Sequence, residues 1–329
     1  MKCSTYLKLI VVAILVGSFI VGMQVISFAP PSPVRYGVTF SPEYARYLGI
    51  DPQKTFATII NDWKFKDVRL AAEWDTVEPS PGKFNFTELD SLMNQSAAAE
   101  VKVVLAVGQK TPHWPECHLP AWATTLSDSA YAAARTEYIS TVVERYKNHP
   151  ALEIWQVENE PLLDFGSCPP FSVADLEAEL ALVKKLDPLH GTLVTDSGEI
   201  NSWQTTARIG DYFGTTLYKI VWNKYTGYLH YDWFPASLYR ARAWLAKRSP
   251  ETAFIIELQA EPWLPDKPIT EVSIEEQDKS MSIERLKKNV VFAHRVGFSR
   301  IYLWGAEWWY LQAEAGRGEF AEYAKSLNK

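Results

Sequence analysis

Three consecutive stretches decide the fold: VKVVLAVG (101–108), AYAAARTEYISTVVERYK (130–147) and EIWQVENE (153–160). The first is a short β-rich run, the second a helical pattern, and the third returns to a β-rich run. Strand, helix, strand in that order implies two parallel strands joined by a crossover helix. Working outward, the alternation repeats. Further β-rich runs lie at Val34–Ser41, Val68–Trp74, Thr192–Ser197, Tyr212–Tyr218, Ala253–Gln259 and Arg300–Gly305, which makes eight. Helical patterns fall between them at Pro52–Trp63, Val173–Leu186, Ser237–Lys247 and Ile274–Val296, the last with Met281, Leu286, Val290 and Val291 at helical spacing. Eight such units in about 295 residues predict a closed (β/α)8 TIM barrel, an α/β fold. An open nucleotide-binding sheet would need a glycine-rich first turn, and neither GxGxxG nor GxxxxGK[ST] occurs.

Composition narrows the function. Of 329 residues 47% are hydrophobic and 22% charged, enough for a large core and incompatible with global disorder. The net charge is −6 and no Lys/Arg block interleaves with aromatics, so nucleic acid is excluded as a partner. The chain carries 13 Trp, 16 Tyr and 15 Phe, and flat apolar faces at this density suit stacking on sugar rings.

Leu9–Phe28 is an uncharged run long enough to span ~30 Å of hydrocarbon as a helix. Lys2 and Lys8 precede it, which orients the N-terminus to the cytoplasm and exports the rest of the chain. The reading is an uncleaved transmembrane anchor, with a cleaved signal as the alternative, since Ser27-Phe28-Ala29 only weakly matches a cleavage site. Residues 1–33 thus form a signal-anchor or signal segment ending in a stiff APPSP linker, and 34–329 the barrel. In an oxidising compartment Cys117 and Cys168 are an even pair suited to a disulfide. Two open alternatives are unpaired loop cysteines and a metal site at His113, Cys117 and His118. No second Cys/His cluster completes four ligands, so neither metal nor organic cofactor is expected.

Active sites of such barrels sit at the C-terminal ends of the strands. Those ends read Arg69 and Glu73-Trp74, then His113-Trp114, Glu158-Asn159-Glu160-Pro161, Asp196-Ser197-Gly198-Glu199, Tyr218, Glu257-Leu258-Gln259 and Trp304-Gly305. Two carboxylates facing each other across a barrel mouth suit cleavage of a glycosidic bond, one protonated and one ionised. Glu160 and Glu257 are the chosen pair. Side-chain alternation with Ala253, Ile255 and Glu257 inward would turn Phe254, Ile256 and Leu258 toward the helices. Arg69, aimed into the same space, would keep Glu257 ionised, while burial and Glu257 would keep Glu160 protonated.

Residues 146–161, YKNHPALEIWQVENEP, resemble strand four of clan A glycoside hydrolases, which include cellulases, mannanases, xylanases and β-galactosidases. Residues 69–82, RLAAEWDTVEPSPG, followed by Phe84-Asn85-Phe86, are similar to the clan's strand two. The resemblance implies a retaining enzyme acting on an oligo- or polysaccharide. In it Glu160 is the general acid/base, Glu257 the nucleophile, and Asn159 the ligand of the sugar's 2-hydroxyl. It further implies that Tyr218 bonds the nucleophile, Trp304 floors the cleaved sugar's site, and His113 and Trp114 line a neighbouring position. The stretch ELQAEPW (257–263) is closer to family forty-two β-galactosidases than to family five, and it makes Glu261 a rival to Glu257. Glu158 similarly rivals Glu160. A non-catalytic carbohydrate-binding barrel is the competing class. Trp74, Trp114, Trp203, Trp222, Trp263, Trp308 and Trp309 would line an extended cleft or wall off a pocket.

Overall fold

The computed structural model describes residues 11, 17–18, 22–23, 25–31, 33–265 and 267–328. Most of the expected anchor, Leu9–Phe28, falls outside these residues. Among the described residues no helix is long and apolar enough to cross a membrane.

Eight strands close the barrel: β1 (Arg35–Thr39), β2 (Asp67–Ala71), β3 (Lys102–Val107), β4 (Leu152–Val157), β5 (Gly191–Asp196), β6 (Tyr212–Leu217), β7 (Ala253–Gln259) and β8 (Arg300–Trp304). Neighbours pair in parallel in sequence order, and β1 closes the ring by pairing with β8. The expected runs overshoot the strands by one to three residues at seven of the eight C-terminal ends. The overshoot is informative, because those extra residues form the loops of the mouth.

The barrel interior is layered. At its N-terminal end Arg35 pairs with Asp67 and with Glu153 at 2.8 Å, and Arg300 meets Glu153 at 2.7 Å. Above them Val104, Ile154, Leu193, Phe254, Ile256 and Tyr302 form a small apolar plug. Arg69, Gln156 and Thr195, all fully buried, begin the polar layer beneath the mouth. The larger core lies outside the strands, where Val103, Leu105 and Val107 meet helix residues such as Ile139, Val142 and Val143. Burying those side chains contributes roughly 1.5–3 kcal/mol each.

The expected inward face of β7 is corrected. Phe254 and Ile256 belong to the inner plug, whereas Ala253 and Ile255 pack outward. Glu257 still points inward, because a β-bulge interrupts the strand. Ile255 pairs with Ile301 and Leu258 with Leu303, so Ile256 and Glu257 together oppose Tyr302 alone. The same slip appears against β6, where Thr215 faces Ile255 and Thr216 faces Glu257. A bulge of this kind re-aims one side chain beside a site.

Two helices also differ from expectation. The stretch Ile274–Val296 is two helices, Ile274–Ser280 and Ile283–Val296. Met281 leaves helical geometry at φ −148°, and the Ser282 hydroxyl caps the second helix by accepting from the Arg285 N–H. Pro52–Trp63 is a helix over Pro52–Ala57 continued by a π-turn over Thr58–Asp62. An unexpected antiparallel hairpin, Ile220–Asn223 with Gly227–His230, rises from the end of β6.

Cys117 and Cys168 are bonded, with Cα atoms 5.2 Å apart and 51 residues between them in sequence. Closing a loop of that length stabilises by about 4 kcal/mol in the chain-entropy account. It clips the loop after β3 to the loop after β4.

Candidate active site

The loops at the C-terminal ends of the strands enclose a cleft of about 860 Å³. Glu160 and Glu257 both line it, as do His113, Trp114, Asn159, Tyr218 and Trp304. Arg69 lies just beneath, fully buried, and organises the floor. Its Nε donates to Gln156 Oε1, one Nη to Glu257 Oε1 and the other to Asn159 Oδ1, each at 2.7 Å. All three sides of the guanidinium are therefore used, and the fork sets Glu257 and Asn159 relative to one another. The Tyr218 hydroxyl donates to the second oxygen of Glu257 at 3.0 Å.

Glu160 follows a sharp turn in which both Glu158 (φ 61°) and Glu160 (φ 44°) are left-handed. Those two turns separate the carboxylates. Glu158 swings behind the barrel wall, where it accepts from the N–H groups of Gln109 and Lys110 at 2.7 Å each. Glu160 swings into the cleft, its own N–H held by Thr195 Oγ1 at 2.8 Å and its carboxyl reached by Thr216 Oγ1 at 3.3 Å. Burial, then the charges of Glu257 and Glu116, push its pKa well above the ordinary carboxylate range.

Trp304 lies with its indole N–H on Glu261 Oε1 at 2.8 Å, and the His113 ring packs against it, tilted by 31°, at 4.1 Å between centroids. Burial holds His113 neutral, and its Nε2 is buried without a hydrogen-bond partner among the described residues. Trp114 stands at the rim, 69% exposed. Glu261 shares the cleft but not the surroundings of Glu257, since Tyr44 and Trp304 hold it rather than a guanidinium. Burial raises it to about 7.

Of the seven other tryptophans expected at the cleft, Trp114, Trp222 and Trp263 line it. Trp74, Trp203, Trp308 and Trp309 are fully buried core residues. Trp74, for example, stacks on Tyr138 and donates to Glu78. The sequence reading missed Glu116, which receives the Asn159 amide at 3.3 Å and is raised to about 7 by burial and Glu257. Its signal was its place between Trp114 and Cys117 in the clipped loop. Glu199 was noted only as a strand end; it lines the cleft, accepts from Tyr239 and the Tyr218 N–H, and is raised to about 7 by burial. The cleft thus offers several protonatable carboxyls around one guanidinium-held carboxylate, with sugar-sized volume and aromatic walls. The disulfide removes the Cys117 thiolate, so the His113–Cys117–His118 cluster is not a Cys/His metal site.

Comparison with known proteins shows likeness in part of the sequence and in the fold. The family model described as Glyco_hydro_42, beta-galactosidase, matches residues 53–169, a span that includes Arg69, Asn159 and Glu160 and stops before Glu257. A beta-galactosidase from Arthrobacter sp is 33% identical over 102 residues, 26% of this chain and 15% of that protein. The chain therefore matches only a small part of that relative's length. Among solved structures, GH5_18 from Streptomyces cattleya in complex with GlcNAc has a TM-score of 0.58 at 16% identity, covering 84% of this chain and 71% of that one. Xylanase 10B from Thermotoga petrophila RKU-1 in complex with xylobiose has a TM-score of 0.56 at 16% identity, covering 83% and 82%. The chain is similar to clan A glycoside hydrolases of families five and forty-two, as residues 69–82 and 146–161 imply.

Proposed function

We propose that this clan A-like barrel is a retaining glycoside hydrolase cleaving β-linked glycans by double displacement. The observation that carries the reading is a pair of carboxyls in one cleft with opposite surroundings. Glu257 is bonded by Arg69 and Tyr218, whereas Glu160 is buried, faces no guanidinium and is pushed toward its protonated form. Two such environments divide the labour between a nucleophile and an acid. In the first step a Glu257 oxygen attacks the anomeric carbon while Glu160 gives its proton to the departing oxygen, leaving a glycosyl ester on Glu257. In the second step Glu160 takes a proton from water, whose oxygen displaces Glu257 from the sugar. The Asn159 amide is available to sugar hydroxyls, and Trp304, with the His113 ring packed against it, supplies an aromatic floor. No step in this scheme uses a metal or organic cofactor.

The test is sugar release by the full chain from nitrophenyl β-galactosides, β-glucosides, β-mannosides and β-xylosides and from the matching polysaccharides. Turnover of at least one member with retained anomeric configuration is expected. Silence across the panel by folded protein would favour the carbohydrate-binding alternative.

The same reading keeps the barrel, residues 34–329, outside the cytoplasm, held by Leu9–Phe28 or released from it. Cys117 and Cys168 should then resist a maleimide probe in protein taken from cells under acid quench, and react only after reduction. Free reaction before reduction would count against export, because such a disulfide persists in an oxidising compartment.

A further inference from the structure

Behind the cleft, where β2 leaves the barrel, Glu73, Asp75 and His118 turn one donor atom each toward a common point, all within 4.8 Å of one another. His118 Nδ1 is 3.7 Å from Glu73 Oε2 and 4.0 Å from Asp75 Oδ1. His118 Nε2 lies 3.2 Å from the carbonyl oxygen of His113. That carbonyl can only accept, so Nε2 carries the hydrogen, and the neutral ring then presents the Nδ1 lone pair to the two carboxylates. A histidine fixed through its far nitrogen by a backbone carbonyl is the usual support of a metal-bound imidazole.

Glu73 supplies the independent observation. Its side chain is 7% exposed, and no hydrogen-bond donor among the described residues reaches its carboxyl. The nearby cation, Arg46, is already engaged by Glu43 at 2.6 Å and Glu88 at 2.7 Å. A cation among the three donors replaces mutual repulsion with bonds.

We infer that Glu73, Asp75 and His118 bind a divalent transition-metal ion of the Zn²⁺ type. One imidazole nitrogen with two carboxylates suits such an ion, whereas Ca²⁺ and Mg²⁺ prefer oxygen alone. Bonds of about 2.0–2.2 Å place neighbouring ligand atoms roughly 3.3 Å apart, so the 3.7 and 4.0 Å separations from His118 must shorten by several tenths of an ångström, within a cluster whose donors all lie within 4.8 Å of one another. The Asp75 side chain is 42% exposed and gives the ion its way in from solvent, with water completing the coordination. The role is structural. The Asp75 N–H already donates to the His118 carbonyl at 3.0 Å, and the residue before His118, Cys117, carries the disulfide. The ion pins one side of the loop that presents His113, Trp114 and Glu116 to the cleft, and the disulfide pins the other. His118 is thus a ligand as its spacing hinted, but in company with carboxylates from the end of β2 rather than with cysteine.

The experiment is calorimetric titration of the metal-stripped, tag-free full chain with ZnCl2, with CaCl2 in parallel, beside thermal melting. One saturable Zn²⁺ site per chain is expected, with Tm rising by about 5 °C at a hundredfold excess over Kd. Asp75→Asn, which alters a half-exposed side chain and leaves the metal-free Tm in place, should weaken Zn²⁺ binding at least about tenfold, and Glu73→Gln likewise. Absence of saturable binding, or unchanged affinity in both variants, would overturn the assignment. Equal affinity for Ca²⁺ would overturn the choice of ion. The readout is binding, so it stands apart from whether the cleft hydrolyses glycans.

Discussion

Glu257→Gln is expected to lower kcat/KM by roughly 10⁴–10⁶-fold on every substrate that the wild type turns over. The substitution keeps shape and one acceptor oxygen, so Arg69 retains a partner at Oε1 and the Tyr218 hydroxyl rotates to accept from the new amide. What is lost is the anionic oxygen that forms the glycosyl bond, and an amide does not replace it. Stability should fall as well, by up to about 3–5 kcal/mol, because Arg69 keeps its buried charge without a counter-charge. Melting therefore accompanies the assay. The decisive comparison is Glu261→Gln. Glu261 lies in the same cleft, but Tyr44 and Trp304 hold it, so its loss disturbs the floor and not the attacking atom. A loss of about 10²-fold or less is expected there. If Glu261→Gln were the silent variant and Glu257→Gln turned over, the two roles would have to be exchanged.

The barrel was legible because eight β-rich runs recur from Val34 to Gly305 with helical patterns read in five of the seven intervals, and the strand ends carry polar or aromatic residues. What was not legible came from departures from those periods. Simple alternation turned Phe254 and Ile256 to the wrong face, because a bulge adds a residue without leaving a mark in composition. Alternation also does not distinguish Glu158 from Glu160. The two have the same parity, and what sends them apart is a pair of left-handed backbone turns that sequence spacing does not encode. Tryptophan count pointed to carbohydrate, yet four of the seven additional tryptophans expected at the cleft, Trp74, Trp203, Trp308 and Trp309, are packing residues. An indole with a buried hydrogen-bond partner, such as Trp203 on the Ser197 carbonyl, serves the core as readily as a cleft. Glu116 escaped notice because it lies beyond the strand end, and spacing alone does not show that its loop, clipped at Cys117 to Cys168, turns this carboxyl toward Asn159.

Glu160→Ala should separate the substrates by their leaving groups. For a dinitrophenyl glycoside, whose phenolate departs unaided, kcat/KM should fall by less than about tenfold. For an alkyl glycoside or an oligosaccharide the fall should be about 10²–10⁴-fold, the usual contribution of general acid catalysis. The split arises from the step that each constant reports. kcat/KM ends at formation of the glycosyl-enzyme, which needs the Glu160 proton only when the leaving oxygen is basic. kcat includes the second step, where water has lost its general base, so kcat should drop on the dinitrophenyl substrate too and a burst should appear. Azide, an anion that needs no deprotonation, should restore kcat and yield a β-glycosyl azide. The pH profile carries the same signature with a definite sign. The Glu160 pKa is raised by burial and by Glu257, so the acid form persists beyond the ordinary carboxylate range and is lost as pH rises through the raised value. The alkaline limb of kcat/KM on unactivated substrates should therefore vanish in the variant. Glu116, Glu199 and Glu261 all titrate at about 7 in the same cleft, so a limb alone has several candidate owners. Dependence on the leaving group belongs only to the residue that touches the departing oxygen, and an equal loss on all substrates would remove Glu160 from that position.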